Sequence, residues 1–174
     1  EPAPFSSRQR VTAPLVFAGY GITACEYGYD DYATIDARGK MVLILRHEPQ
    51  EYDASSPFEG RIYTEHSQIF KKLLNAKAHG AAGVLLVNDT GNHSGPDNLD
   101  RVTALPSPGG AGIPFMEVKA AVVEPWFTAA GKNFASCGSP ISCTQAGWLG
   151  SFTSSCEVRS FASTHPRVRV QTLW

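Results

Sequence analysis

The chemistry open to this chain depends first on its five histidines and the acidic residues near them. His47 is followed by Glu48, an order that could begin the H-E-x-x-H pattern, in which two histidines one helical turn apart bind zinc. Position 51 is Glu51 rather than histidine, and Pro49 would interrupt the helix that the pattern needs. We therefore predict no zinc site in this segment.

The other histidines are scattered along the chain. His66 and His79 fall near opposite ends of one predicted helix, roughly 20 Å apart at the usual rise per residue, so that helix cannot bring them to one ion. We interpret them as solvated or helix-end side chains.

An unrecognised hydrolase site remains an alternative. Its candidate residues are either His47 with Glu48, or His93 with Asp89 and Asp97 in a long polar loop. No G-x-S-x-G nucleophile elbow occurs in the sequence. The presence of serine, histidine and aspartate does not by itself indicate a triad, because a triad is a spatial arrangement.

A glycine-rich segment imitates a nucleotide-binding motif. The sequence GYGITA at 19–24 matches G-x-G-x-x-G/A and follows a predicted strand. That motif binds a pyrophosphate only where a helix begins, and the next residues have no amphipathic helical pattern. The segment is therefore interpreted as a glycine turn.

Two further groups of residues could bind metal in principle. Asp30, Asp31 and Asp36 form an acidic loop, but they lack the ordered ligand series and distal glutamate of a calcium loop. Cysteines at 137, 143 and 156 lack the close pairs of structural zinc sites, although in an oxidising compartment they could form a disulfide. We predict no catalytic, cofactor-binding or metal-binding residues in this chain, and no cofactor.

Composition excludes several functional classes. The chain has 174 residues, 43% of them hydrophobic, and a net charge of −1. Without a lysine- or arginine-rich run it lacks the electrostatic attraction that drives nucleic-acid binding. No apolar run approaches the roughly 20 residues needed to span a bilayer. The first residues do not resemble a signal peptide, as would also be true of a mature secreted protein.

The order of elements predicts an α/β domain. The helix at 64–79 is capped by Thr64, and Gly80 is expected in a left-handed conformation after it. The lysines at 71, 72 and 77 are placed away from the buried side of this helix, and Pro125 is placed at the first position of the second helix. Five apolar runs predict strands and two segments predict helices: strands at 14–18, 41–45, 83–87, 113–118 and 168–170, and helices at 64–79 and 122–130.

An ordered set of these fragments resembles a known family. The fragments are LVFAGYGI at 15–22, DDY at 30–32, DARGKMVL at 36–43, K-x-x-x-NA-x-x-HGAAG at 71–83, VND at 87–89, GIPF at 112–115 and VK at 118–119. Together they resemble the protease-associated (PA) domain inserted in secreted zinc aminopeptidases related to transferrin receptor and glutamate carboxypeptidase. The resemblance covers roughly residues 14–136.

The resemblance implies a fold, a role and partners. The fold is a swivelling β/β/α domain, with a mixed sheet or open barrel flanked by two or three helices. It would extend over residues 14–136, between an N-terminal extension at 1–13 and a cysteine-containing tail at 137–174. The role is a non-catalytic module for protein or peptide interaction or for control of substrate access, secreted or periplasmic. Its partners would be a peptidase catalytic domain, in cis or in trans, and a peptide or protein ligand, but neither nucleic acid nor membrane. A third possibility is a purely structural fragment of a larger peptidase.

Overall fold

The computed structural model describes residues 2, 4–7, 9–93, 95–99, 111–137 and 167–171. Within these residues the main sheet has five strands, and two short strands form a separate hairpin. The elements are β1 (Arg10–Phe17), β2 (Thr23–Ala24), β3 (Tyr29–Asp30), β4 (Met41–Leu45), α1 (Ile69–Ala78), β5 (Gly83–Val87), β6 (Phe115–Val118), α2 (Ala120–Ala129) and β7 (Arg167–Gln171).

The main sheet is mixed. Its strand order is β6-β5-β4-β1-β7, in which β1, β4, β5 and β6 run parallel and β7 pairs antiparallel with β1. All residues of β4 and β5 are buried, which explains their continuous apolar sequences. The unit β4-α1-β5 is a strand-helix-strand crossover between parallel neighbours.

One helix covers each face of this sheet. Leu73 of α1 packs with Val42 on one face, whereas Phe127 of α2 packs with Leu43 on the other. Because neighbouring residues of a strand point to opposite faces, β4 contributes to both cores. The prediction of an α/β domain with a mixed sheet flanked by two helices is confirmed.

Strand boundaries differ from the sequence prediction at two places. The first strand begins at Arg10 rather than at position 14, because residues 10–14 pair with β7. The strand predicted from 113 begins at Phe115 and lies at an edge of the sheet, as Pro114 before it indicated. The strand expected at 168–170 is confirmed as part of β7.

Helix α1 is shorter than predicted. Thr64 caps a single 3-10 turn, Glu65–Ser67, by accepting a hydrogen bond from the His66 backbone, and α1 itself begins at Ile69. Gly80 has φ of 79°, which confirms the left-handed residue expected after the helix.

The placement of Lys72 away from the core was wrong. Lys72 is 1% exposed, and its Nζ donates hydrogen bonds to the carbonyl oxygens of Tyr20, at 2.5 Å, and Leu45, at 3.2 Å. The backbone around Tyr20 lies over this side of α1 and supplies acceptors that helical periodicity cannot reveal. Burial lowers the pKa of the Lys72 ammonium, and the negative charge of Asp31 opposes that shift.

The start of the second helix was also predicted wrongly. Helix α2 begins at Ala120, so Pro125 lies inside it rather than at its first position. The Asp97 carboxylate accepts hydrogen bonds from the backbone N–H groups of Ala120, at 2.9 Å, and Ala121, at 3.1 Å. This long-range cap supports an earlier helix start than the local sequence suggests.

Two further expectations concern membrane-spanning helices and disulfide bonds. Within the described residues, no helix is long and apolar enough to cross a membrane. The disulfide considered for the tail would join two of Cys137, Cys143 and Cys156, and of these Cys143 and Cys156 lie outside the described residues.

Candidate functional site

The candidate site lies where two neighbouring parallel strands end. Strand β4 ends at Leu45 and β5 ends at Val87, and these two residues are paired in register. The loops that follow therefore start side by side at the carboxyl edge of the sheet, where binding sites of parallel α/β sheets are commonly found. His47 lies on the first loop and His93 on the second.

Three side chains from these loops converge on one point. The Nδ1 atom of His47 lies 2.8 Å from Nε2 of His93 and 3.2 Å from Oε2 of Glu51. The other carboxylate oxygen of Glu51 lies beside Nε2 of His93. Each residue offers one atom that could bind a metal ion, and these three atoms lie within 4.8 Å of one another. Among the described residues, this is the group of histidines and acids spaced closely enough to bind one metal ion.

Glu51 is unusual among the buried acids. It is 2% exposed, yet none of the residues that the structure describes donates a hydrogen bond of good geometry to either of its carboxylate oxygens. Burial raises its pKa, but the imidazole of His47 and then that of His93 lower it, and the resulting pKa lies below the usual range. The carboxylate is thus held in its charged form by the adjacent imidazoles.

The position of His47 is determined by the turn after β4. His47 and Gln50 both have positive φ, of 64° and 58°, so the chain reverses direction tightly and presents Glu51 beside His47 without any helix. Arg46, the preceding residue, donates a 2.7 Å hydrogen bond to Asn88 and forms a buried ion pair with Glu117 of β6. The start of this loop is therefore held to the end of the neighbouring strand β5 and, across it, to β6.

The position of His93 depends on Asp89. The Asp89 carboxylate accepts hydrogen bonds from the Tyr20 hydroxyl at 2.6 Å, the Gly91 backbone at 2.9 Å and the Asn92 side chain at 2.7 Å. The backbone N–H of His93 donates to the Asp89 carbonyl at 2.9 Å. These contacts define a compact turn that directs His93 toward Glu51.

The hydrolase candidates named from the sequence are not assembled as expected. Glu48 is turned away from His47, because its carboxylate accepts hydrogen bonds from the backbone and hydroxyl of Thr64, at 2.9 and 2.6 Å. The carboxylates of Asp89 and Asp97 bind the Tyr20 hydroxyl and the start of α2, respectively. Both candidate histidines instead meet at Glu51.

The glycine segment and the acidic loop form a structural unit of their own. Gly19 and Gly21 have positive φ, as the glycine-turn interpretation requires. The turn directs the backbone N–H groups of Tyr20 and Ile22 to the carboxylate of Asp31, each at 3.0 Å. The N–H groups of this turn are thus bound by a carboxylate of the protein itself.

Two exposed tyrosines lie beside the His47–Glu51–His93 cluster, and an exposed isoleucine precedes one of them in the chain. The Tyr63 ring stacks on His47 with centroids 4.7 Å apart, and the Tyr52 ring lies 6.1 Å from that of His93. Ile62 precedes Tyr63 and is 69% exposed. We call Tyr52, Ile62 and Tyr63 the apolar rim.

Sequence reasoning examined Glu51 only as a missing histidine. The available signal is the spacing of four residues between His47 and Glu51, but the helical zinc motif needs histidine at position 51 and no proline at position 49. A turn with two left-handed residues achieves the same convergence. The absence of metal ligands stays a prediction, and the convergence of these three side chains bears on it directly.

Comparison with solved structures finds partial similarity to two aminopeptidases. An aminopeptidase from Aneurinibacillus sp. strain AM-1 is 24% identical with a TM-score of 0.48, over 76% of this chain and 25% of that one. The zinc aminopeptidase BSAP from Bacillus subtilis is also 24% identical, with a TM-score of 0.35, over 68% of this chain and 21% of that one. This chain therefore spans about a quarter or less of their length.

Sequence comparisons give the family. No curated protein matches the chain significantly. The family model described as the PA domain matches residues 11–126, which is two thirds of the chain. The mixed sheet with one helix on each face agrees with that match. This chain belongs to the PA domain family.

Proposed function

We propose that this chain is a non-catalytic PA domain of a zinc-aminopeptidase-like protein, which serves protein or peptide interaction or control of substrate access. The observation that carries the proposal is the family match over residues 11–126. The proposal includes a secreted or periplasmic location and a peptidase catalytic domain as partner, in cis or in trans. It keeps the division into an extension at 1–13, the PA domain at 14–136 and a tail at 137–174.

The apolar rim supports a binding role. Tyr52, Ile62 and Tyr63 present large apolar side chains on loops at the carboxyl edge of the sheet. Aromatic residues contribute a large contact area with few rotatable bonds, and they are enriched at binding interfaces. Contacts at Arg46 and Asp89 hold the starts of the two loops, and hydrogen bonds from Thr64 to Glu48 hold the chain next to Tyr63, which lowers the ordering that binding requires.

A peptide array tests the binding role. Purified chain is applied to immobilised random decapeptides, and Ile62→Lys is compared with Val122→Lys, which alters a similarly exposed apolar residue on α2. We expect Ile62→Lys to weaken binding about tenfold or more, as for loss of an interface anchor, and Val122→Lys to leave it unchanged. Equal effects of the two variants, or no selective binding by the natural chain, would refute this role.

A hydrolase is the second candidate, and the convergence of His47, Glu51 and His93 favours it. Two histidines and a glutamate are one of the ligand sets that hold catalytic zinc in peptidases. The purified chain, with and without added zinc, is assayed on leucine p-nitroanilide. The proposal predicts no release above the protein-free blank, whereas zinc-dependent release that His93→Ala abolishes would establish the hydrolase instead.

A further inference from the structure

The side chains of His47, Glu51 and His93 carry a second, independent inference. Two imidazole nitrogens and one carboxylate oxygen point at a common centre from two different loops. Nδ1 of His47 faces both the other imidazole and the carboxylate, and Nε2 of His93 does the same. A single N–H proton can be directed at only one of these neighbours, so hydrogen bonding cannot satisfy all three contacts at once.

Buried acids elsewhere in the described chain have dedicated partners. Glu48 accepts two hydrogen bonds from Thr64, and Glu117 is paired with the guanidinium of Arg46. Glu51 is equally buried, but its partners are the two imidazoles, and no hydrogen bond of good geometry reaches its carboxylate from the described residues. Because a buried carboxylate is stabilised by a partner of opposite charge, a positive ion at the shared centre would give Glu51 what Arg46 gives Glu117.

We propose that His47 Nδ1, His93 Nε2 and the Glu51 carboxylate bind a divalent transition-metal ion of the zinc class. Imidazole nitrogen suits zinc, copper and nickel, and two imidazoles with one carboxylate are a recognised zinc ligand set. Calcium and magnesium prefer oxygen ligands throughout, so this donor set disfavours them.

The spacing of the ligand atoms fits such an ion with a small adjustment. Ligand atoms about 2.0–2.1 Å from a tetrahedral zinc ion are about 3.3 Å from one another. The distance from His47 Nδ1 to Glu51 Oε2 is 3.2 Å, and the 2.8 Å between the two imidazole nitrogens requires them to separate by about half an ångström. Side-chain rotations of the two histidines provide this, because their side chains remain 26% and 30% exposed.

The same exposure leaves the fourth position of the ion open. Three protein ligands with a free position are typical of zinc that meets water or an incoming ligand, rather than of a closed structural site. The apolar rim borders this opening through the rings of Tyr63 and Tyr52. A metal at this point would offer an oxygen or nitrogen of an approaching peptide a coordination position beside apolar contacts.

Calorimetric titration tests the proposal. Protein treated with a chelator and then desalted is titrated with zinc chloride, and one equivalent is expected to bind at micromolar affinity or tighter. His93→Ala and Glu51→Gln should each weaken binding about tenfold or more, since even loss of a group that only orients a ligand has such an effect. His66→Gln is the matched control, because His66 pairs with Glu26 outside the cluster.

Cobalt distinguishes this site from cysteine ligation. The cobalt-loaded protein should show visible bands of a nitrogen- and oxygen-ligated ion without the strong near-ultraviolet bands of thiolate ligands. Far-ultraviolet circular dichroism of each variant checks that it is folded. If either His93→Ala or Glu51→Gln is unfolded, the zinc affinity of the other variant is the test. No stoichiometric binding, binding unchanged in both folded ligand variants, or thiolate bands would overturn the proposal. Neither readout depends on hydrolysis or on peptide binding.

Discussion

The buried ion pair between Arg46 and Glu117 gives a quantitative test of how the site is held. Arg46 follows β4 directly and reaches Glu117 on β6, so the pair spans the intervening strand β5. The side chains are only 12% and 2% exposed. The change that we consider is Glu117→Gln, which keeps the shape of the side chain and removes its charge.

The expected cost follows from this burial. Removing one partner of a buried pair usually costs about 3–5 kcal/mol, because the other charge stays buried without compensation. Arg46 retains its hydrogen bond to Asn88 and some contact with solvent, and glutamine retains one acceptor oxygen. We therefore expect the free energy of unfolding to fall by about 2–4 kcal/mol, which is a large part of the roughly 5–15 kcal/mol available to a domain.

Urea denaturation followed by far-ultraviolet circular dichroism measures this change. With a slope of about 2 kcal/mol per molar urea, the midpoint should fall by about 1–2 M without a change in slope. Glu26→Gln is the control, since Glu26 is half exposed and pairs with His66 at the surface, and its midpoint should not move measurably. Arg46→Met and the double variant complete a cycle in which the two changes should cost less together than their sum. Equal midpoints for Glu117→Gln and the control would refute the reasoning.

Two further predictions concern single residues of the same framework. The hydroxyl of Tyr32 has no hydrogen-bond partner among the described residues, and burial raises its pKa above the ordinary value of 10.0. Above pH 10 the unfolded chain therefore loses this proton while the folded chain keeps it. This difference should lower the free energy of unfolding of the natural protein by about 1.4 kcal/mol at pH 11. Tyr32→Phe has no such proton and should not show this part of the loss. Urea midpoints at pH 8 and pH 11 check this, and an identical alkaline loss in both proteins would contradict it. Gly21→Ala should cost more than Gly28→Ala: both have positive φ, but an added Cβ would lie 2.8 Å from Ile44 at Gly21 and within 4 Å of nothing at Gly28. The same urea titration compares the two variants, and equal costs would contradict the expected clash.

Much of the framework could be predicted from local sequence. The apolar runs of β4 and β5 are readable because strands buried on both faces leave no polar positions. Thr64 and Gly80 mark their turns because caps depend on the conformation of single residues.

What sequence reasoning missed depends on contacts between distant segments. Lys72 is buried because two backbone carbonyls of other segments meet its Nζ, and helical spacing carries no record of them. Helix α2 starts early because Asp97, from the loop after β5, caps it. His93 reaches Glu51 because the loops after the paired strands β4 and β5 turn toward each other, and the strand and helix pattern does not specify the course of a loop.

The most direct test of the site uses crystals of the chain grown with zinc. Anomalous X-ray diffraction at the zinc absorption edge shows whether an ion lies where the loops after β4 and β5 come together. We predict one strong peak about 2.0–2.2 Å from Nδ1 of His47, Nε2 of His93 and an oxygen of Glu51. Crystals of Glu51→Gln should show a much weaker peak at this position. The absence of a peak between the three side chains in the natural chain, or a peak only at cysteine sulfurs, would contradict the account.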